Sequence, residues 1–152
     1  MSAGLTAKRI VEVLGLAPLV PEGGHVAQTW QDAGSSAIYY LMADPDFSGL
    51  HRLAGVEIWA HHLGAPVRML LIDTAGRVSE PVLGPDLEAG QRPQVIVPPD
   101  VWQAAEPLGA WSLVSTFMSP PYTDAGVTFA RWADFEGRYP AHQERIRRFC
   151  RF

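Results

Sequence analysis

The sequence predicts an all-β fold, an antiparallel sandwich or barrel, with a short helix before it and a helical segment after it. Five short apolar runs are rich in β-branched or aromatic residues, and many of the 14 glycines and 13 prolines separate them. No helical period intervenes between these runs, and many closely spaced short strands are typical of antiparallel sheets. With 152 residues, the chain is expected to form one domain, residues 1–152.

The elements follow in chain order. The predicted helix covers residues 6–15, with Thr6 as its N-cap, an apolar stripe of Ile10, Val13 and Leu14, and Gly15 as its stop. The predicted barrel, residues 20–120, contains strand-like runs at residues 37–42, 56–63, 67–72, 94–97 and 111–117. In the predicted C-terminal helical segment, residues 130–150, Ile146 and Phe149 share a face, and we expect this segment to cover the barrel.

Composition and charge exclude several classes of function. The net charge is -4, from 12 basic and 16 acidic residues, so we expect no nucleic-acid partner. Cys150 is the single cysteine, which excludes a disulfide within the chain and favours a reducing, cytoplasmic setting. No apolar run approaches the ~20 residues that span a bilayer, so we expect no membrane association. We interpret the cluster of basic residues near the C-terminus as the solvated face of the last helix: Arg145, Arg147, Arg148 and Arg151.

Residues 51–64 contain the side chains best suited to chemistry. Because side chains alternate along a strand, Glu57, Trp59 and His61 are expected on one face and His62 on the other. A carboxylate on an apolar strand is costly to bury without a partner, and His51 is the nearest candidate in sequence. We therefore favour a site role for Glu57 over a structural ion pair. Taken alone, His61 fits a catalytic and a space-filling role equally well.

Two patterns resemble cupin motifs. The spacing of His51, Glu57 and Gly64 is similar to the first cupin motif, and residues 98–103 are similar to the second. More specifically, the chain resembles the DUF985, or cupin_5, family in residues 21–24, 37–39, 47–48, 51–52, 57–59, 84–87, 90–98 and 101–105. The resemblance implies a cupin-type double-stranded β-barrel (jelly roll) of the RmlC-like type, a homodimer, and a small-molecule site in the barrel.

The chain also departs from the family pattern. Leu53 and Gln103 occupy positions where metal-binding cupins have histidine, so a divalent metal (Fe, Mn, Ni or Zn) would have only His51, Glu57 and Gln103. Glutamine is a poor, neutral ligand, and we expect no cofactor. His61 replaces an inward-facing aromatic residue, which favours acid–base chemistry because imidazole titrates near neutral pH.

These features favour a cofactor-independent isomerase, epimerase or cyclase that moves a proton on a small-molecule substrate. His61 or His51 would be the base, Glu57 would orient or tune it, and Tyr39 or Tyr122 would return the proton. Two alternatives stay open: a metal-dependent oxygenase or lyase, and a non-catalytic metabolite-binding module. The other residues expected at the substrate are Trp59, Gln103, Arg52, Gln94, His25 and Gln28.

Overall fold

The computed structural model describes residues 4–152, which form two facing antiparallel sheets with short helices at both ends of the chain. Residues 1–3, part of the predicted domain, lie outside the described residues. The helices are α1 (Ala7–Leu14), α2 (Trp132–Phe135) and α3 (Gln143–Phe149). The strands are β1 (Ala17–Pro18), β2 (His25–Gln31), β3 (Ser36–Ala43), β4 (Ser48–Leu53), β5 (Val56–Gly64), β6 (Val67–Ile72), β7 (Val78–Ser79), β8 (Val82–Leu83), β9 (Gln94–Val97), β10 (Trp102–Pro107), β11 (Trp111–Ser119) and β12 (Val127–Phe129).

The two sheets are built from strands that are distant in sequence. The first sheet has the order β1-β2-β3-β11-β5-β9, so β11 lies between β3 and β5. The second has the order β12-β4-β10-β6-β7, with β8 also paired to β6. Apolar side chains from both inner faces form the main core, which includes Tyr40, Trp59 and Met69. This architecture confirms the predicted all-β class.

Helix α1 confirms the predicted caps and corrects the predicted stripe. The Thr6 hydroxyl accepts from the Arg9 N–H at 3.1 Å, and Gly15 ends the helix with φ of 66°. Ile10 is buried, whereas Val13 is 60% exposed. The side chains that pack on the sheet are Ala7, Ile10, Val11 and Leu14, because the helix rests on β3 and β11 with a face rotated away from Val13.

The five predicted strands are present as β3, β5, β6, β9 and β11, but three longer strands were not predicted. These are β2, β4 and β10. Strand β4 carries a glycine, a histidine and an arginine, and β10 carries a glutamine and a glutamate, so neither presents a continuous apolar run. Hydrogen bonding to neighbouring strands, rather than a local apolar pattern, makes these segments extended. Strand β10, for example, pairs with β4 on one side and β6 on the other.

The C-terminal helix covers the second sheet, as expected. Ile146 and Phe149 of α3 are fully buried, and the Phe149 ring lies 5.2 Å from the Phe47 ring. The arginine cluster, however, is not simply a solvated face. Three of its members pair with carboxylates because the helix lies beside acidic residues of the barrel: Arg145 with Glu80 and Glu106, Arg148 with Glu106, and Arg151 with Asp46.

Across residues 4–152, no helix has the length and apolar character needed to cross a membrane.

Burial of α3 predicts a large contribution of Ile146 to stability. Ile146→Ala removes a fully buried side chain, so we expect a loss of about 2–4 kcal/mol in the free energy of unfolding. Val13→Ala on the exposed side of α1 is the matched control, with an expected change within about 0.5 kcal/mol. Urea denaturation measures both. Equal effects of the two substitutions would contradict the observed packing.

Candidate functional site

A cavity opens between the two sheets at one end of the barrel. It contains about 550 Å³ of space, a volume that includes its open mouth. Its walls are mainly apolar and include Val26, Ile38, Leu53 and Met118. The polar side chains that line it are Glu22, Gln28, Ser36, Tyr40, His51, Glu57, Thr116 and Tyr122.

Facing strands bring the central groups together. His51 lies on β4 opposite Gln103 of β10, while Glu57 and Trp59 share the inner face of β5. The indole N–H of Trp59 donates to Gln103 Oε1 at 2.9 Å and to Glu57 Oε1 at 3.2 Å. This one donor therefore connects the two sheets behind the cavity.

The His51 ring is held in one orientation. Its Nδ1–H donates to the carbonyl of Gly49 at 2.6 Å, since a carbonyl oxygen can only accept. Its Nε2 lies 3.6 Å from Glu22 Oε1, and the side chain is buried. Nε2 is therefore the ring atom available to exchange a proton.

Glu22 is the charged site residue that sequence reasoning missed. It precedes Gly23 and Gly24, whose φ angles of 107° and 75° favour glycine, and the Ser48 hydroxyl donates to Glu22 Oε2 at 2.8 Å. A Cβ at Gly23 would lie 2.1 Å from the Phe47 carbonyl oxygen, so the loop approaches β4 as only glycine permits. A charged residue beside a double glycine was the available signal, but the sequence does not show that this loop folds over the cavity.

Burial governs the electrostatics of the site. It raises the pKa of Glu57 to about 7; the positive charge of His51 opposes this shift, and the negative charge of Glu22 adds to it. Burial, with a smaller effect of Asp124, raises the pKa of Tyr122 to about 12. At neutral pH, Glu57 can therefore exchange a proton, while Tyr122 stays protonated.

The structure brings some predicted site residues together and separates others. His51, Glu57, Trp59, Gln28 and Tyr122 line the cavity, and Gln103 lies directly behind Trp59. Tyr39, Gln94, Arg52 and His25 are not part of the lining.

The displaced residues point away for identifiable reasons. Tyr40, not Tyr39, faces inward on β3, and Gln94 is exposed on β9. Arg52 alternates with His51 on β4 and lies over the Trp102 ring at 4.8 Å. His25 precedes the inward-facing Val26 on β2, so its side chain lies on the opposite face.

His61 does not join the cavity either. It lies four residues beyond Glu57, about 13 Å along the strand. Its Nε2–H donates to the Ala65 carbonyl at 3.0 Å, and an irregularity in the β5–β11 pairing pairs His61 with Val114 and Leu63 with Leu113. The strand pattern gave the face correctly for Trp59, but His61 lies too far from Glu57 to act with it.

The donor set does not fit a bound transition metal. Among residues 4–152, no group of three or more histidine, cysteine, aspartate or glutamate side chains is placed to hold a metal ion. In the candidate trio of His51, Glu57 and Gln103, the amide oxygen of Gln103 already accepts from Trp59. No chemical step is therefore assigned to a metal here.

Two facing antiparallel sheets around such a cavity define a cupin double-stranded β-helix. A Shewanella oneidensis protein is 27% identical, with a TM-score of 0.87 over 95% of this chain and 96% of that chain. A hypothetical protein from Leishmania major is 24% identical, with a TM-score of 0.87 over 95% and 98%. A dTDP sugar isomerase from Desulfovibrio desulfuricans, at 19% identity and a TM-score of 0.57 over 76% and 80%, shares the fold alone.

The family follows from the sequence match. Residues 8–130 match Cupin_5, the cupin superfamily group DUF985, and the chain belongs to this family. A search of curated proteins finds no match.

Glu57 makes stability depend on pH in a defined direction. Its pKa rises from a usual 4.5 to about 7 on folding, so the folded state binds the proton more tightly. The resulting stability is complete below pH 4.5 and is lost as the pH rises through 7, by at most about 3 kcal/mol. Glu57→Gln removes this titration, so the variant should gain stability relative to the native protein between pH 4.5 and 8.

Urea denaturation across this pH range measures the effect. Glu144→Gln, an exposed position on α3, is the control and should follow the native protein. Parallel curves for the native protein and Glu57→Gln would show that Glu57 keeps its ordinary pKa in the fold.

Proposed function

We propose that the protein is a cofactor-independent isomerase or epimerase that moves a proton on a carbonyl-bearing small molecule in the barrel. The observation that carries this proposal is a buried carboxyl group, Glu57, with a pKa of about 7, on the sheet opposite His51. A general acid or base works best when its pKa lies near the working pH.

Each polar group of the cavity has a proposed role. Glu57 removes the proton from the carbon next to the substrate carbonyl. His51, through Nε2 and with Glu22 beside it, supplies a proton from the second sheet. Because the two groups belong to facing sheets, they can act on a ligand between them. Tyr122, protonated at neutral pH, donates a hydrogen bond to a substrate oxygen.

Cavity charge indicates the class of substrate. Within the described chain, the lining contains two glutamates and one histidine but no lysine or arginine. A diphosphate would lack the cationic groups that normally bind it. We therefore propose a neutral or amine-bearing substrate, unlike that of the dTDP sugar isomerase that shares the fold.

Proton exchange with solvent tests the proposed function. In D₂O, the native protein should catalyse deuterium incorporation next to the carbonyl of a neutral or amino compound, which NMR detects directly. The panel pairs dihydroxyacetone, glyceraldehyde and glucosamine with their phosphorylated counterparts. Glu57→Gln should slow exchange at least ~100-fold, because Gln keeps the shape but cannot take the proton.

The control tests whether His61 takes part in the exchange. His61→Ala should retain the native rate within about threefold, because His61 is bonded to Ala65 away from the cavity. Exchange abolished in His61→Ala and retained in Glu57→Gln would reverse the assignment. A panel compound that binds without exchange would favour the metabolite-binding module.

We further propose that the homodimer implied by the family forms through the outer face of the first sheet. Phe117, Ile58 and Ile96 lie opposite one another on adjacent strands, and Trp30 continues the row on β2 through Ala37. Trp30 is 55%, Phe117 43% and Ile96 55% exposed. An exposed antiparallel face is normally polar, and a second copy related by a two-fold axis would cover this row.

Light scattering tests this interface. The native protein should have twice the chain mass of 16.6 kDa, and Phe117→Asp should yield monomers because it buries a charge in the proposed contact. Leu87→Asp, exposed in the loop before β9, is the control and should stay dimeric. A dimer that survives Phe117→Asp would place the contact elsewhere.

A further inference from the structure

Arg151 lies against the loop that carries Glu22. Its Nε–H donates to the Glu22 carbonyl at 3.1 Å, and its Nη2 donates to the Phe47 carbonyl at 2.8 Å and to Asp46 Oδ1 at 3.0 Å. The guanidinium also lies 3.9 Å from the centre of the Phe47 ring. One side chain therefore joins the Glu22 loop to the start of β4.

Other hydrogen bonds hold the same loop against the barrel. The Gly49 N–H donates to the Glu22 carbonyl at 2.8 Å, and the Gly24 N–H donates to Asp46 Oδ2 at 2.8 Å. The Tyr40 hydroxyl donates to the Gly23 carbonyl at 2.6 Å. Asp46 thus binds the loop and Arg151 at once, so the loop position depends on both.

Two glycines make room for the arginine. A Cβ at Gly23 would lie 2.3 Å from Arg151 Nη2, and one at Gly49 would lie 2.7 Å from Arg151 Cγ. Such distances exclude any larger residue at either position without movement of the arginine. The loop and the arginine therefore fit each other closely.

The segment around Arg151 is itself anchored. The Trp132 N–H donates to the Phe152 carbonyl at 2.9 Å, and the Phe152 ring lies 6.0 Å from the Phe129 ring. Phe149, two residues before Arg151, is fully buried. These contacts hold the backbone on both sides of Arg151 in place. The position of its side chain against the loop is therefore well defined.

We propose that Arg151 is a positioning residue that holds the Glu22 carboxylate beside His51 and Glu57. This proposal rests on the proposed function, in which Glu22 lies beside the acid–base pair of His51 and Glu57. Arg151 lies beyond the family match, which ends at residue 130. The site is therefore completed by a part of the chain that the family match does not cover.

The titration of Glu57 reports on the position of Glu22. The charged and titratable groups that face Glu57 are His51 from β4, Glu22 from the loop and Tyr122 after β11. Neutral partners are Trp59 on the same strand, Thr116 from β11 and Gln103 from β10. The Glu22 charge raises the Glu57 pKa, so its removal or displacement should lower the titration midpoint. Carbon-detected NMR of the Glu57 carboxyl measures this midpoint without any turnover.

The expected results form a double-mutant cycle. Glu22→Gln should lower the midpoint, and Arg151→Gln should reproduce at least half of that shift. Glu22→Gln/Arg151→Gln should give the shift of Glu22→Gln alone, because Arg151 acts through Glu22. Arg147→Gln, with the same loss of charge on exposed α3 surface beside Trp132, should leave the midpoint unchanged.

Two results would overturn the proposal: a native midpoint in a folded Arg151→Gln variant, or additive shifts in the double variant. If Arg151→Gln does not fold, Arg151→Lys keeps the charge beside Asp46 but not the forked contacts, and the same midpoint decides. Because no substrate is involved, a failure of the proton-exchange assay would leave this result unaffected.

Discussion

The hydrogen bond from the Trp59 indole to the buried Glu57 carboxyl is the constraint on which the barrel interior depends. Burying a carboxylate is costly unless donors or charges compensate it. Here one N–H serves both Glu57 and Gln103, which belong to opposite sheets. Burial raises the pKa of Glu57 to about 7, because the charge of His51 and the hydrogen bonds around the carboxyl group do not offset its loss of solvent. The hydrogen bond that joins the sheets thus holds a carboxyl group whose pKa lies near neutrality.

The surroundings of Glu57 balance two opposing charges. His51 stabilises the ionised carboxylate, while Glu22 destabilises it. Since Glu22 Oε1 also lies 3.6 Å from His51 Nε2, any movement of the loop changes both effects together. Two carboxylates and one imidazole give the mainly apolar cavity groups that can exchange protons, whereas its described lining has no lysine or arginine to bind a phosphate.

Sequence reasoning predicted the elements and residues that local sequence patterns determine. It failed for residues whose position depends on contacts between distant parts of the chain. Helix α1 and strand β5 were predicted because caps and apolar runs are local signals, and Glu57 was found because a charge interrupts such a run. Tyr39 was chosen over Tyr40 because six consecutive apolar residues do not reveal which face is inward. His61 was misplaced because the strand pattern says which face a side chain takes but not how far along the barrel it lies. Glu22 was missed because the position of its loop depends on contacts with strands that come later in the sequence, such as β4.

The C-terminal arginines show how such distant contacts build the site. Their spacing alone suggests a solvated helix face, yet the burial of Ile146 and Phe149 brings α3 onto the second sheet, where Arg145 and Arg148 meet Glu106. Once the helix is fixed there, Arg151 reaches the Glu22 carbonyl. Apolar packing on the outside of the barrel thus determines where a carboxylate lies inside it. The chemistry of the cavity is consequently a property of the whole chain, from the first loop to the final helix.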